Sequence, residues 1–569
     1  MDIVNHATPS PIDELAEAHA ARVLELSPET ATSMGIPGRE TEYGDYSPTG
    51  LDAYADLCRE TLAALAELAP STENEAVTKD AMLERLGLDI ESHEALDPHS
   101  SLNNIASPAQ EIRAIFDLMP QESAEDFSHI AGRLANVPAA IDGYTASLRY
   151  AADRGAVSAR RQVAVVIEQS RAYGAEDGFF TALAARGAEA HPELAESLRE
   201  GAQAANAAYA RLVEFLEGTL MPLAPHKDAV GREAYARGSR RFLGETVDLE
   251  ETYAWGIEVL ADIVAEQEAL ACEIKPGASI EEAKAILNAD PSRVLHGTDA
   301  LREWMQGISD TAVAELGREQ FDIPEPLRTL ECCIAPTQDG GVYYTGPSSD
   351  FARPGRMWWS VPPGETEFTT WGETSTVYHE GVPGHHLQVG TATYLKDTLN
   401  TWRRDLCWTS GYGEGWALYA ERLMDELGYL SDPGDRMGML DAQRMRAARV
   451  VFDIGVHLEL EMPREWQERT GQRVWTPEIG KQFLDEHLEG SEGTRSFEFV
   501  RYLGWPGQAP SYKVGQRVWD ELRREAAERE GESFDVKAFH SRALSLGSLP
   551  LSTLVKAMRG ELAVEAPGA

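Results

Sequence analysis

The pattern of apolar and polar positions along most of the chain predicts helices. Apolar residues recur at near-helical spacing between residues 51 and 68, and Pro70 ends that run. A second stretch, rich in Ala and Leu, extends from Ala202 to Leu220. A third helical face carries Met445, Phe452, Val456 and Leu460. Because helical periodicity dominates and no internal repeat is visible, we predict a mainly α fold.

Between about Leu330 and Tyr378 the pattern changes to that of a small sheet. Residues 340–344 and 357–361 read as short strands, and 367–371 is predicted to return as their hairpin partner after a Pro-Pro-Gly turn. The small sheet therefore spans about 340–371. An open strand edge can bind an extended peptide. An isolated hairpin can equally serve only to pack the core, and we favour that interpretation.

Chain length and composition indicate a sizeable core, and a polar segment indicates a weak boundary between two parts of the chain. The chain has 569 residues and a hydrophobic fraction of 43%, enough for a sizeable core. A short polar segment near Pro225 separates two long helical stretches. We predict an N-terminal helical lobe over 1–225 and a second helical lobe, with the sheet and the candidate site, over 226–569. The two lobes are expected to form one integrated fold.

The balance of charge narrows the range of partners. The chain carries 51 basic and 94 acidic residues, a formal net charge of −43. Such a surface repels nucleic acid and anionic lipid, and no apolar run is long enough to span a membrane. Five cysteines without CxxC spacing argue against a disulfide framework, and the first 40 residues hold no signal-like apolar run. We therefore expect a cytoplasmic protein that binds neither nucleic acid nor membrane.

The strongest chemical signal is a cluster of histidines. Three of the 14 histidines fall within eight residues, as His379, His385 and His386, and Glu380 follows the first. Imidazole nitrogens bind zinc, and a glutamate beside the first ligand can deprotonate a zinc-bound water. A Pro-Gly turn lined by histidines without metal is the alternative, which we consider weaker because of Glu380.

The spacing of these histidines departs from the usual HExxH pattern. His379 and His385 lie six residues apart, about 240° around an ideal helix at 3.6 residues per turn. Pro383 and Gly384 must therefore kink or bulge the helix to bring His385 beside His379. Two candidates for a third ligand lie further along the chain, where Glu414 and Glu421 share a helical face. One of them is expected to bind metal and the other to orient a histidine.

Three segments together resemble one known family. They are His379–Gln388 (HEGVPGHHLQ), Glu414–Glu421 (EGWALYAE) and Pro506–Gly515 (PGQAPSYKVG). The segments resemble, in sequence and order, the signature of the bacterial family called domain of unknown function 885 (DUF885). That family is distantly similar to thermostable carboxypeptidase Taq-type and thimet-type zinc metallopeptidases. The resemblance implies a large two-lobed helical fold, with a deep channel and the small sheet beside the metal-site helix.

The resemblance also assigns the ligands. It implies Zn²⁺ held by His379, His385 and Glu414, with Glu421 as a supporting residue, and it favours His385 over His386. Glu380 is the expected general base. Tyr512 is the first candidate to stabilise the oxyanion, followed by Tyr502 and His457.

Further residues are candidates for contact with substrate. Arg353, Arg501 and Lys513 can capture a substrate carboxylate, as an exopeptidase acting at a C-terminus requires. Tyr344, in the predicted strand before Arg353, is a further candidate for contact with substrate. Alternatively, these cations only neutralise local acids. We expect them to make the region around the zinc less negative than the exterior.

These features predict a zinc peptidase that acts on short peptides, and a carboxypeptidase-like exopeptidase in particular. One alternative is a zinc amidase that acts on a modified peptide or specialised metabolite. Another is a non-catalytic protein that binds metal or peptide. A homodimer is possible with any of the three.

Overall fold

A computed structural model describes residues 10–336 and 341–564. Gly340, the first residue of the predicted sheet, lies outside the described residues. The predicted mainly α fold with a small sheet is confirmed. The helices of the first part of the chain are α1 Pro11–Leu26, α2 Pro28–Ser33, α3 Pro48–Ala66, α4 Glu73–Glu94, α5 Pro108–Leu118, α6 Ala124–Ala152, α7 Arg160–Tyr173, α8 Phe179–Ala190 and α9 Ala195–Phe215.

The second part of the chain holds the remaining helices and five strands. The helices are α10 Arg232–Leu243, α11 Leu249–Ile274, α12 Ile280–Asn288, α13 Thr298–Glu319, α14 Thr374–Glu380, α15 His385–Tyr394, α16 Ser410–Glu426, α17 Pro433–Leu458, α18 Arg464–Thr470, α19 Pro477–His487, α20 Glu492–Gly504, α21 Ser511–Glu530, α22 Val536–Ser545 and α23 Leu551–Arg559. The strands are β1 Val294–His296, β2 Leu330–Ile334, β3 Val342–Thr345, β4 Gly355–Trp359 and β5 Glu367–Thr369.

The apolar patterns identified in the sequence lie on these helices. Helix α3 buries Leu57 and Leu65 on one face and begins with Pro48, which suits a first helical turn because its missing N–H has no intrahelical partner there. Helix α9 continues into a π-helical turn over Leu216–Leu220, so the helical stretch ends at the residue that the sequence predicts. In α17, Phe452 and Val456 are buried.

Two large apolar clusters divide the helices differently from the order of the chain. One cluster lies wholly between Leu102 and Ala224. The other joins apolar residues of α1, α3 and α4 to those of the helices after residue 235. The first helices therefore pack with the second half of the chain, and the division into 1–225 and 226–569 stays a prediction, as do the two-lobed shape and the deep channel.

The sheet corrects one prediction. Strand β4 lies between β2, to which it runs parallel, and β3, to which it runs antiparallel. Residues 367–371 were expected to pair with this hairpin, but β5 pairs antiparallel with β1 instead. Because β2 and β3 occupy both edges of β4, no backbone edge of β4 remains for β5. The apolar side of β2 buries Leu330 and Cys332, which favours that strand as the neighbour.

Close packing of α16 against α21 brings the second and third sequence motifs together. The two helices approach at glycines, so that a Cβ added to Gly515 would lie 2.1 Å from the carbonyl oxygen of Gly411. A Cβ added to Gly415 would lie 2.5 Å from the carbonyl carbon of Gly515. Since both clashes involve backbone atoms, neither is relieved by a side-chain rotation. The glycines of both motifs thus set the distance between the helices.

We predict that Gly515→Ala destabilises the protein because the added methyl group must push α16 and α21 apart. Overpacking of this kind costs about 1–3 kcal/mol. Gly87→Ala in α4 is the matched control, since a Cβ there meets no atom within 4 Å. The control should be neutral or stabilise by about 0.4–1 kcal/mol. Urea unfolding measures both, and equal stability of the two variants would contradict the packing argument.

Candidate metal centre

The histidine motif contains a break between two helices rather than a bulge within one. Helix α14 ends at Glu380 and α15 begins at His385. The backbone N–H of Gly384 donates to the carbonyl of Tyr378 at 3.1 Å, and that of His386 donates to Gly381 at 3.1 Å. These hydrogen bonds span six and five residues instead of four. This wide turn rotates His385 about the helix axis, so that a residue six positions after His379 can face the same side as His379.

Two contacts fix this turn. A Cβ added to Gly384 would lie 1.9 Å from the carbonyl oxygen of His379, so only glycine allows the chain to pass this close. The indole N–H of Trp416 in α16 donates to the carbonyl of Pro383 at 2.8 Å. The turn is therefore anchored to the helix that carries Glu414.

Three side chains converge on one point, as the sequence predicts. The Oε2 atom of Glu414 lies 3.3 Å from Nε2 of His379 and 3.6 Å from Nε2 of His385. Zinc bonds of 2.0–2.1 Å in tetrahedral geometry separate ligand atoms by roughly 3.3–3.4 Å. The possible ligand atoms of all three residues lie within 4.8 Å of one another. This donor set of two nitrogens and one oxygen fits a zinc ion.

A second carboxylate orients the first histidine. Nδ1 of His379 lies 2.7 Å from Oε1 of Glu421, so a protonated Nδ1 leaves Nε2 free towards the ligand cluster. The amide of Gln443 donates to Glu421 at 3.2 Å, and Lys513 in turn donates to Gln443 at 2.6 Å. Lys513 is buried behind Glu421, which favours a role in supporting the ligands over one in binding substrate.

His386 is held away from the ligand cluster. Its Nε2 lies 2.9 Å from the carbonyl of Leu327, and its Nδ1 lies 3.0 Å from the hydroxyl of Tyr344. Both ring nitrogens are therefore engaged, and burial lowers the pKa of His386 to about 4. The structure thus favours His385 over His386 as a ligand. It also places Tyr344 as a partner of His386 rather than beside a substrate.

The charges at the cluster stabilise one another. Burial alone would lower the pKa of His379, but hydrogen bonds to the carboxylates of Glu414 and Glu421 raise it to about 10. Burial would raise the pKa of Glu414, and hydrogen bonds to His379 and His385 hold it well below its usual range instead. Burial raises the pKa of Glu380, which both histidines and Arg446 oppose. The cluster thus places acidic groups next to imidazoles, as a cation site requires.

Tyr512 lies near this cluster and the other two catalytic candidates lie deeper. Burial and the carboxylate of Glu414 raise the pKa of Tyr512. Within residues 10–336 and 341–564, no group hydrogen-bonds its hydroxyl. By contrast, the fully buried hydroxyl of Tyr502 accepts a hydrogen bond from Arg449 at 2.5 Å. His457 is also fully buried and contacts the carbonyl of Tyr502 at 3.1 Å. These contacts favour packing roles for Tyr502 and His457.

The two arginines proposed for substrate differ in their partners. Arg501 donates to Glu498 at 3.1 Å and to Gln508 at 2.8 Å, so its charge is already paired. Arg353 donates to the carbonyl of Pro354 at 3.3 Å and lies near Tyr344, whose pKa burial raises and Arg353 lowers. Arg353 therefore stays a candidate, whereas Arg501 is committed to a structural ion pair.

Two residues near the site carry no signal in the sequence motifs. Arg446 in α17 lies close enough to lower the pKa values of Glu380 and Glu421 against the effect of their burial. Its guanidinium donates to the carbonyl of Ala442 at 3.3 Å, and no carboxylate pairs with it in the described part of the chain. Arg446 follows Gln443 by about one helical turn, so the two residues lie on the same face of α17. Only the contact of Gln443 with Glu421 shows that this face is directed at the ligand cluster.

The second residue is Trp408, whose side chain is 45% exposed. Its ring centroid lies 6.4 Å from that of His385. A Cβ added to Gly413 would lie 2.0 Å from the Trp408 ring, so this glycine makes room for the indole. An exposed aromatic face beside a candidate ligand is suited to contact with a bound molecule.

We predict that His385→Ala loses one equivalent of bound zinc, because one of three ligands is removed, whereas His386→Ala loses none. The His386 variant should instead be less stable by about 1–3 kcal/mol, since it leaves the buried Leu327 carbonyl without its hydrogen bond. Metal analysis after dialysis against zinc, together with thermal unfolding, measures both effects. Loss of zinc from the His386 variant alone would reverse the ligand assignment.

Two solved structures share the fold of this chain. A "putative lipoprotein" from Colwellia psychrerythraea has 21% sequence identity and a TM-score of 0.81, covering 97% of this chain and 98% of that chain. A "putative lipoprotein of unknown function" from Shewanella oneidensis has 15% identity and a TM-score of 0.72, covering 97% of this chain and 100% of that chain. At these identities the likeness shows the fold alone. No curated protein matches the chain in sequence.

The expected cytoplasmic location is wrong by this comparison, because both solved relatives are described as lipoproteins. The expectation rested on composition and on the lack of an apolar run. A covalently attached lipid anchors a protein without a spanning helix, so these features do not separate the two locations. In the described ranges, no helix has both the length and the apolar character needed to cross a membrane.

The family comparison covers most of the chain. The family described as "Bacterial protein of unknown function (DUF885)" matches residues 28–558. This range includes all three sequence motifs and the three helices that carry the candidate ligands. The resemblance that the motifs indicate is thereby confirmed, and the chain belongs to the DUF885 family of bacterial proteins.

Proposed function

We propose that this protein is a zinc-dependent hydrolase that cleaves peptide bonds in short peptides. The observation that carries the proposal is the convergence of His379, His385 and Glu414 next to Glu380. Ligand sets with two histidines and one glutamate, together with an open position, are typical of zinc peptidases. A zinc ion at this position would supply a polarised water as the nucleophile.

Glu380 acts as the general base. It follows His379 directly at the end of α14 and is 8% exposed, and His379 and His385 lie close enough to its carboxyl to oppose the rise in pKa that burial causes. The carboxylate accepts the proton of the attacking water and passes it to the leaving amine. Pure metal binding does not require a carboxylate in this place, which favours a hydrolase over a non-catalytic binding protein.

Tyr512 donates a hydrogen bond to the oxyanion of the intermediate. Its ring lies near two guanidinium groups, with the Cζ atom of Arg449 at 5.1 Å and that of Arg446 at 5.9 Å from the ring centroid. Nearby positive charge favours a phenol that must stabilise developing negative charge. The hydroxyl is not committed to any other described group, in contrast to that of Tyr502.

Arg446 binds the C-terminal carboxylate of the substrate, which makes the enzyme an exopeptidase of the carboxypeptidase type. Its guanidinium lies near Glu380 and forms no ion pair with a carboxylate among the described residues. A planar guanidinium binds a carboxylate through two parallel hydrogen bonds. The pairing of Arg501 with Glu498 and the burial of Lys513 make Arg446 a better anchor than either of them, and Arg353 stays the second candidate.

We expect Glu380→Gln to abolish peptide hydrolysis while zinc stays bound, because the amide cannot accept the proton of the water. Loss of a general base lowers kcat by about 10²–10⁴-fold. The exposed Glu365 supplies the control variant Glu365→Gln, which should retain full activity. Cleavage of a mixed peptide library, followed by mass spectrometry, measures the activity. Unchanged hydrolysis by the Glu380 variant with zinc bound would exclude this mechanism.

Arg446→Gln should raise KM for peptides with a free C-terminal carboxylate by about 10–100-fold, the effect of losing a charge-assisted hydrogen bond of about 1.5–3 kcal/mol. Peptides with an amidated C-terminus should be poor substrates for the unchanged enzyme and insensitive to the substitution. Arg444→Gln on the same helix is the control, since Arg444 contacts His487 and Gln267 instead. Equal cleavage of both peptides by the unchanged enzyme would exclude a carboxypeptidase.

A further inference from the structure

We propose that Asp52, His93 and His99 form a second metal site, separate from the candidate centre at His379, which takes a divalent transition ion such as zinc. These residues belong to none of the three sequence motifs. The possible ligand atoms of the three side chains all lie within 4.8 Å of one another. Oδ1 of Asp52 lies 2.9 Å from Nε2 of His93, and the ring centroids of the two histidines lie 5.1 Å apart.

A left-handed turn creates this cluster. Helix α4 carries His93 in its last turn and ends at Glu94, and Leu96 then adopts a φ of +67°. The backbone N–H of Leu96 donates to the carbonyl of His93 at 3.0 Å, which reverses the chain over the helix end. His99 thereby returns beside His93. A branched residue in the left-handed region is unfavourable without compensation, so the surrounding packing holds the turn in place.

His99 supplies an independent indication of a ligand. The residue is 1% exposed, yet neither of its ring nitrogens has a hydrogen-bond partner in the described part of the chain. Buried polar groups are almost always partnered in folded proteins. One face of the ring stacks on Tyr150 with centroids 4.9 Å apart, and a ring nitrogen lies within 4.8 Å of possible ligand atoms of Asp52 and His93. A metal ion bonded to one nitrogen would account for part of this unused capacity.

The surroundings suit a cation. The side chain of Asp52 is 58% exposed and that of His93 is 16% exposed, so an ion and its waters can enter from solvent on the Asp52 side. Arg154 is the nearby positive group, and it lies over the ring of Tyr150. Two nitrogens and one carboxylate favour zinc, cobalt or nickel over magnesium or calcium.

The expected role of this site is structural. Asp52 lies in α3, His93 in α4 and His99 in the segment that leads to α5, so one ion would tie these three parts together. An ion that binds only the folded chain stabilises it by a free energy that rises with the logarithm of one plus the ratio of ion concentration to Kd. At a zinc concentration about 100 times Kd, the ratio of folded to unfolded protein rises roughly 100-fold.

The test uses the full-length His379→Ala variant, in which the candidate catalytic centre is disabled. After dialysis against zinc, this variant should retain one equivalent of zinc by elemental analysis. The double variant His379→Ala/His99→Ala should retain none. His379→Ala/His129→Ala is the matched control and should retain one, because His129 belongs to neither cluster. No zinc in His379→Ala, or equal zinc with and without His99, would overturn the proposal.

A second variant guards against misfolding of the His99 substitution. Asp52→Asn changes a mostly exposed side chain and should leave the circular dichroism spectrum and the zinc-free Tm unchanged. In the His379→Ala background, this substitution should weaken zinc binding by at least tenfold and remove the rise in Tm that zinc produces. An unaltered zinc affinity in this variant would exclude Asp52 and, with it, the proposed site. Failure of this site leaves the candidate catalytic centre untouched, because the two depend on different residues.

Discussion

The buried hydrogen bond between His379 and Glu421 is the constraint on which the candidate catalytic centre depends. Glu421 is 1% exposed, and a carboxylate buried to this extent is costly unless it is paired and hydrogen-bonded. His379 and Gln443 satisfy both of its oxygens, and Lys513 holds Gln443 from behind. Four helices, α14, α16, α17 and α21, are thereby joined through one chain of polar contacts. A shift of any of them would leave a buried charge without a partner.

The cations around this chain of contacts have different partners, although the protein as a whole carries a net charge of −43. Lys513 is buried behind the ligands, where burial lowers its pKa to about 7. Arg449 and Arg501 share Glu498 and stabilise the packing around Tyr502. Arg446 forms no ion pair with a carboxylate among the described residues. The net negative charge of the chain and the positive group near the ligands therefore come from different residues. The composition alone does not reveal the positive group.

The sequence predicted the helices and a departure from regular helix at Pro383, because these signals depend on residues close together in the chain. The ligand candidates His379, His385 and Glu414 also come from short segments, and they stay candidates for metal binding. The partner of β5 could not be predicted in this way, since strand pairing joins segments far apart and β1 lies more than 70 residues before β5. The role of Lys513 was obscured for the same reason, because its partner Gln443 belongs to another helix.

The sequence by itself determined the fold class, the family and the candidate ligands His379, His385 and Glu414, since periodicity and motif spacing are properties of short segments. Only the tertiary structure decided which side chains face one another. It separated His386 from the ligand cluster, placed Arg446 beside Glu380, and brought His99 back to His93 through the turn at Leu96. These outcomes depend on long-range packing, which sets directions and distances that no spacing along the chain specifies.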